Sequence, residues 1–287
     1  MIAVVTASFS PNLAHDLGDM LAQEFMRNAF LAGGSIAISA GLVGYFVVLR
    51  NQVFTSDALG HVAFTGGLGG LLAGIPLMLA VFASTVAGAL AIGWLGGRSK
   101  GRDVVIGTVF AWVLGLGVLC LSIYTSSRSA ASGVVGVTVL FGSVLALQAP
   151  QATIAAVAGI GTALALLVVC RPLLFATIDP EVAAARAVPV RLVTTVFLVL
   201  LGLTVAEAVQ AVGALLIFGL LVTPAAVAQN LTSRPYAGMA LSAALGLTFV
   251  WVGLALAFYL PYPASFLIIA ISFAAYLGSA AVRGARR

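Results

Sequence analysis

The sequence predicts an all-α, polytopic integral membrane helical bundle. Of its 287 residues, 62% are hydrophobic and only 7% are charged, whereas about a quarter of the residues of a soluble domain are charged. The apolar residues gather in runs of about 20, the length that a helix needs to cross a bilayer. Glycine occurs 32 times, and small residues let membrane helices pack closely.

The apolar runs predict eight to nine transmembrane helices and one short re-entrant or tilted segment. The short segment is 134–148, which is apolar but too short for a simple span. Little besides Glu207 and Gln210 separates the sixth run from the seventh. The nine runs are, in order, about 28–49, 57–74, 77–97, 104–124, 151–170, 192–206, 208–229, 237–259 and 264–282.

The basic residues predict the orientation. They cluster between and beyond the apolar runs, as the positive-inside rule requires, so the net charge of +5 does not indicate nucleic-acid binding. Placing the basic segments on one side puts the C-terminus in the cytoplasm. We divide the chain into a polar N-terminal tail at 1–26, which lacks the pattern of a signal peptide, a membrane domain at 27–283 and a basic C-terminal tail at 284–287.

Several kinds of chemistry are absent from the sequence. Cys120 and Cys170 lie in or at the end of apolar runs, far from any Cys/His cluster, which favours small core residues over a disulfide or a thiolate metal site. No GxxxxGK[ST] sequence for ATP hydrolysis and no His-Glu-x-x-His protease motif occurs. The sequence therefore predicts that the chain is not an enzyme.

Asp57 and His61 are the strongest candidates for a functional site. Ionisable residues at membrane depth are costly and usually mark a function. Four residues make about one helical turn, so both side chains point the same way, and carboxylate and imidazole bind divalent metal ions. The alternative is structural: Asp57 caps the start of a helix after Thr55 and Ser56, and His61 is hydrogen-bonded within the bundle.

The polar segment 178–191 predicts a short helix outside the membrane. Asp179 is a plausible N-cap, Pro180 suits the first helical position, Glu181 suits the first turn, and Pro189 ends the helix. The segment is either an ordinary capped connector or a helix on the membrane surface that docks a cytoplasmic partner.

Three further residues stand out near the sixth and seventh runs. Glu207 is either a gate residue or second polar site, or a partner for a helix end. Gly213 and Pro224 favour close helix packing and a kink.

Four segments together resemble the ABC transporter permease family that imports zinc, manganese or ferrous iron. They are Gly44–Arg50 with Ser56–Ala63, Leu140–Leu145, the Asp-Pro-Glu loop at 179–191, and Gln210–Leu216 with Leu220–Ala228. The resemblance covers about residues 25–285. The first and last segments, with Asp-Ala-Leu-x-His and Val-Gly-x-Leu-Leu…Pro-Ala-Ala, are the specific ones.

The resemblance implies a half-transporter in the bacterial plasma membrane. Two permease chains, expected to be identical, would pair around the path, with two ABC ATPase subunits and an extracytoplasmic metal-binding protein as partners. Asp57 and His61 match the metal ligands, and the loop matches the helix that couples to the ATPase, with Asp179, Glu181, Ala184, Arg186 and Ala187 as the coupling residues. The family usually has glycine in place of Ala187 and an uncharged residue near Glu207.

The expected cargo is zinc first, manganese second and iron third, with no permanently bound cofactor. Asp with His suits zinc or manganese, and thiolates are absent. The alternative function is an ion-gradient-coupled secondary carrier, with Asp57, His61 and Glu207 as its relay.

Overall fold

The computed structural model describes residues 18, 20–96, 102–127, 142, 144–214 and 217–285. These residues are overwhelmingly helical, and none of them forms a strand. The predicted fold class, a polytopic helical membrane bundle, is confirmed.

Eleven α-helices are present in the described ranges, and we number them in chain order. They are α1 Glu24–Leu49, α2 Val53–Leu72, α3 Leu77–Gly96, α4 Arg102–Ser127, α5 Ala149–Ile178, α6 Pro180–Ala185, α7 Val190–Val212, α8 Ile217–Leu221, α9 Thr223–Leu231, α10 Pro235–Tyr259 and α11 Ala264–Ala285.

Seven of the described helices are long and apolar enough to cross a membrane, namely α1, α3, α4, α5, α7, α10 and α11. Helix α2 coincides with the second predicted span but falls outside these seven, because Asp57, His61 and several glycines lower its hydropathy. The predicted seventh span is divided between the short helices α8 and α9. The predicted count of eight to nine is therefore approximate.

The predicted boundary between the sixth and seventh spans is wrong. Helix α7 continues past residue 206 to Val212, so Glu207 lies inside a helix instead of between two. The helix ends at Gly213, whose φ of +88° is a conformation that glycine adopts without strain. Glu207 alone did not end the helix because its polar atoms find partners in neighbouring helices.

Helix α1 lies at the centre of the bundle. In its most apolar stretch of 18 residues, 83% of the residues are buried, whereas only 11% are buried in the corresponding stretch of α4. It packs mainly against α10 and α5, and α2 packs mainly against α3 and α4. At the α1–α10 crossing the Ser242 hydroxyl donates to the Gly41 carbonyl at 2.6 Å, and a Cβ on Gly41 would lie 2.7 Å from the Ser242 carbonyl oxygen. Small residues at this crossing therefore set the distance between the two central helices.

Three sequence predictions fall largely outside the described residues. Most of the N-terminal tail and of the 134–148 segment is not described, and neither are Arg286 and Arg287. Of the 134–148 segment, Val144–Ala146 forms a 3-10 turn that contacts α1 and α7.

Candidate functional site

Asp57 and His61 lie on α2, just after a tight connection from α1. Helix α2 begins at Val53, so Thr55, Ser56 and Asp57 all lie inside it. The hydroxyl of Ser56 donates to the Val53 carbonyl within the same helix. The alternative interpretation of Asp57 as a helix cap is therefore wrong, and its carboxylate is available to other partners.

The two side chains face each other across one helical turn. Asp57 Oδ1 and His61 Nε2 are 4.0 Å apart, and the side chains are 23% and 12% exposed, respectively. Two ligands that each lie about 2.1 Å from one ion are roughly 3.0–3.5 Å apart in tetrahedral or octahedral geometry. A side-chain movement of about 1 Å or less would therefore let both groups bind the same ion.

Helix α4 fixes the imidazole ring of His61. The ring of Phe110 packs edge-on against it, with centroids 4.8 Å apart and an angle of 86° between the planes. Beside the pair, α2, α3 and α4 line an open apolar pocket of about 420 Å³ whose wall includes Ala58, Val62 and Phe110. The Asp57–His61 pair thus lies beside an apolar wall, and part of each side chain remains exposed.

The described part of the chain brings only two candidate ligands together at this position. Among the residues that the structure describes, no group of three or more His, Cys, Asp or Glu side chains could hold an ion. Glu207 therefore does not join Asp57 and His61 in a common site. A four-ligand site at this position would need ligands from outside the described residues of one chain.

Glu207 lies in a different environment, among three helices. Its side chain is 0% exposed. The Ser39 hydroxyl of α1 lies 3.2 Å from Glu207 Oε2 and shares its hydrogen bond with the Ile36 carbonyl at 2.9 Å, while Thr162 of α5 donates to Oε1 at 3.2 Å. Both carboxyl oxygens are therefore engaged within the chain, and the contacts tie α7 to α1 and α5.

The predicted surface helix is α6, at Pro180–Ala185. The Asp179 carboxylate accepts a hydrogen bond from the Val182 backbone N–H at 3.0 Å, as an N-cap does. Ala183 is 0% exposed and faces the bundle. The predicted coupling residues are all exposed: Asp179, Glu181, Ala184, Arg186 and Ala187.

The end of α6 differs from the sequence prediction. The helix ends at Ala185, four residues before Pro189, which instead precedes α7. Ala187 has a φ of +61°, and the N–H groups of Ala187 and Val188 donate to the carbonyls of Ala184 and Ala183. This left-handed C-terminal motif, which usually contains glycine, ends the helix before proline can.

Gly213 and Pro224 lie at two breaks in the chain. Gly213 follows the last residue of α7. Pro224 is buried in the first turn of α9, directly after the break from α8 at Val222. Glycine and proline here separate helices, because one supplies a positive φ and the other lacks a backbone N–H.

A comparison with protein families decides what kind of protein carries this arrangement. The sequence model of the ABC 3 transport family matches residues 22–283. The chain belongs to the ABC 3 transport family.

Two relatives and one solved structure are similar over most of their length. The manganese transport system membrane protein MntC of Halalkalibacterium halodurans is 30% identical, covering 82% of this chain and 79% of that protein. The manganese import system permease protein ScaB of Streptococcus parasanguinis is 30% identical, covering 77% and 78%. The structure of PsaBC from Streptococcus pneumoniae in complex with Fab has a TM-score of 0.82 at 26% identity and covers 93% of this chain and 95% of that one.

Membership in the ABC 3 transport family confirms several predictions. The chain is a multi-pass membrane subunit of a metal ABC importer and is not itself an enzyme, because ATP hydrolysis belongs to a separate subunit. An ATPase and an extracytoplasmic binding protein are the partners that this family implies. The ion-gradient-coupled carrier finds no support in this family.

Sequence reasoning missed the polar partners inside the bundle. Ser39 and Thr162 gave no signal, because hydroxyl residues are common in membrane helices and usually bond to their own backbone. Arg50 could have been found from the sequence, because it is an arginine at the end of an apolar run in a chain with few charges.

Proposed function

We propose that this ABC 3 family subunit forms a path for Mn²⁺ into the bacterial cytoplasm, with Asp57 and His61 as the ligands that the ion meets inside the membrane. The observation that carries this proposal is the facing carboxylate and imidazole on α2, 4.0 Å apart and both partly exposed. Oxygen and nitrogen ligands without thiolates suit manganese and zinc.

The choice of metal rests on the relatives. The sequence alone ranked zinc first, since Asp with His also suits tetrahedral zinc. The MntC and ScaB proteins named above are manganese systems, and we therefore place Mn²⁺ first and Zn²⁺ second. Iron remains the third candidate cargo.

We propose a homodimer as the transporting unit. Each chain offers two ligands from α2, and two copies related by a twofold axis offer four. Four ligands complete a tetrahedral site, and water would fill the further positions that Mn²⁺ prefers. Binding must stay weak enough for release, which an incompletely filled site favours.

Metal uptake by the assembled complex tests the proposal. Proteoliposomes that contain this chain, its ATPase and its binding protein should accumulate Mn²⁺ in an ATP-dependent manner. Zn²⁺ supplied at the same concentration should be a poorer substrate, and bound-metal analysis of the trapped complex should find about one ion per two chains. Preferred uptake of Zn²⁺ would reverse the ranking of metals, and uptake of neither ion would remove the proposed cargo.

We further propose that α6 and the C-terminus both lie on the cytoplasmic side of the membrane. There α6 docks in a groove of the ATPase. Its exposed face includes Val182, 46% exposed, and the neighbouring Ile178, 68% exposed, and such apolar groups favour burial against a partner. A cysteine at Ala184 should cross-link to one in the ATPase groove, whereas a cysteine at the buried Ala183 should not. Reversing the charges of Glu181 and Arg186 together should lower ATPase stimulation and transport in parallel.

Glu207 serves this function as a second polar site away from the metal ligands. Its hydrogen bonds to Ser39 and Thr162 would have to break if α7 moved relative to α1 and α5. It therefore acts as a gate through helix position and not as a third ligand.

A further inference from the structure

The connection between α1 and α2 contains only residues 50–52, and its backbone is tightly held. The N–H of Arg50 donates to the Phe46 carbonyl at 2.9 Å, and the N–H of Gln52 donates to the Val47 carbonyl at 2.8 Å. Asn51 adopts a left-handed φ of +52°, which asparagine tolerates better than most residues. The start of α2 is thereby fixed to the end of α1, and Asp57 lies about 6 Å along α2 from its first residue, Val53.

The guanidinium group of Arg50 joins this connection to two other helices. One nitrogen donates to Thr177 Oγ1 at 3.3 Å, and another donates to Thr194 Oγ1 at 3.0 Å. The guanidinium carbon also lies 5.3 Å from the centre of the buried Phe197 ring, within range of a cation–π interaction. Arginine suits this position because its planar fork can bond two acceptors while its face stacks on an aromatic ring.

The two threonines belong to the helices that flank α6. Thr177 lies in the last turn of α5, one residue before Ile178 ends that helix, and Thr194 lies in the first turns of α7. Asp179 alone separates α5 from α6, and residues 186–189 separate α6 from α7. A displacement of α6 therefore moves the two segments that Arg50 holds.

We propose that Arg50 is a positioning residue that transmits movement of the coupling helix α6 to the metal-carrying helix α2. This inference rests on the proposed function, in which α6 docks to the ATPase and Asp57 and His61 bind the ion. Direct packing between α1 and α2 is sparse, and α2 also packs against α7. The short connection and the Arg50 contacts add a route by which the α5 and α7 ends that flank α6 reach the start of α2.

The fold does not depend on Arg50 alone. Helix α2 packs against α3 and α4, it also contacts α7, and Gly60 approaches the Ala214 carbonyl in the segment after α7. Loss of the guanidinium should therefore loosen the transmission of movement before it unfolds the bundle. If Arg50 had a purely structural role, its loss would instead lower stability, ATPase activity and transport together.

Thr194 and Thr195 provide a matched pair of variants. The Thr194 hydroxyl accepts from Arg50, while the hydroxyl of the exposed Thr195 donates to the Arg191 carbonyl of its own helix. Thr194→Val removes one Arg50 contact, and Thr195→Val makes the same chemical change at the next position without touching Arg50.

The test measures metal ions transported per ATP hydrolysed in the reconstituted complex. Arg50→Gln should lower this ratio about tenfold while stimulated ATP hydrolysis and the unfolding temperature stay near those of the unsubstituted complex. Arg50→Lys should restore part of the ratio, because an ammonium group bonds one threonine well but does not reproduce the fork. Thr194→Val should lower the ratio less, and Thr195→Val should leave it unchanged.

Two results would overturn the inference. One is an unchanged ratio in both Arg50→Gln and Thr194→Val. The other is a parallel fall in ATP hydrolysis, transport and unfolding temperature in Arg50→Gln with an unchanged ratio in Thr194→Val, which would make Arg50 a packing residue. The Asp57→Ala, His61→Ala double variant in the same preparation separates the two proposals: if it transports normally, the proposed metal site has failed, whatever the Arg50 variants do.

Discussion

Two ionisable sites in this membrane bundle differ in whether their polar atoms already have hydrogen-bond partners within the chain. On α2, Asp57 and His61 are partly exposed and 4.0 Å apart. On α7, Glu207 is completely buried and accepts hydroxyl hydrogen bonds at both carboxyl oxygens. The first site retains the capacity to bind something else, whereas the second is completed by its own chain.

The contrast shows that an ionisable residue in an apolar chain is a candidate metal ligand only until its partners within the chain are known. Buried polar groups are stable when they are hydrogen-bonded, and Glu207 meets that condition through helices far apart in sequence. The Asp57–His61 pair instead remains partly exposed, and in the proposed homodimer a second copy of α2 would supply further ligands there. Substitutions at the two sites should therefore affect different measurements.

The largest expected effect is on metal binding at α2. Asp57→Ala with His61→Ala removes both ligands of a chain, and the affinity of the complex for Mn²⁺ should fall by at least about 10–100-fold, the loss already seen for residues that only support a ligand. ATP-dependent uptake should be abolished. Isothermal titration with Mn²⁺ and radiolabelled uptake would check both.

Glu207→Gln provides the control for that prediction. Glutamine keeps the size of the side chain and can still accept one hydroxyl hydrogen bond, so metal affinity should remain within about twofold of the unsubstituted protein. A loss of affinity as large as that of the double alanine variant would mean that Glu207 is a ligand, and the contrast between the sites would be lost.

The next effect is on the pH dependence of uptake. A proton and a metal ion compete for the imidazole of His61, so binding requires the neutral ring. Lowering the pH should weaken Mn²⁺ binding, by about tenfold per pH unit once the free site holds the competing proton. Titrations between mildly acidic and neutral pH would measure this, and Glu207→Gln should leave the profile unchanged. A flat profile would exclude His61 as a ligand.

A smaller effect is expected on the stability of the bundle. Glu207→Ala removes both interhelical hydrogen bonds and leaves Thr162 without its carboxyl partner, at a cost of about 1–3 kcal/mol. Thermal unfolding in detergent should show a lower midpoint for Glu207→Ala. The midpoint should hardly change for Asp57→Ala, because the Asp57 side chain is partly exposed. Equal destabilisation by both substitutions would contradict the assignment of Glu207 as the internally satisfied site.

The smallest expected effect is on stability at the end of α6. This helix lies outside both ionisable sites, so a substitution there changes only a local backbone contribution to the free energy of unfolding. Ala187 adopts φ +61°, which costs a residue with a Cβ about 1 kcal/mol relative to glycine. Ala187→Gly should therefore raise the free energy of unfolding slightly, with unchanged metal affinity. Ala184→Gly, in the helix itself, is the matched control and should lower stability by about as much. Destabilisation by Ala187→Gly would show that the left-handed turn is not a source of strain.

Local features of the fold were largely predictable from the sequence. The apolar runs located most of the long helices to within about four residues, and Asp179 and Pro180 correctly marked the start of α6. The predicted span 151–170 was too short, because α5 continues to Ile178. The end of α6 was not predictable from Pro189, because Ala187 enters a left-handed conformation that sequence patterns assign to glycine. The end of α7 was misplaced for a different reason: Glu207 looks like a boundary until its interhelical partners are known.

The sequence by itself determined that the chain is a membrane bundle, where its long helices lie, and that Asp57 and His61 share a helix face. These properties depend on hydropathy and on the helical repeat, which act over a few turns. Only the tertiary structure decided that Glu207 is enclosed by Ser39 and Thr162, and that Arg50 bonds Thr177 and Thr194. Each of these contacts joins residues 45 to 168 positions apart, and no local pattern specifies which distant helix will supply the partner.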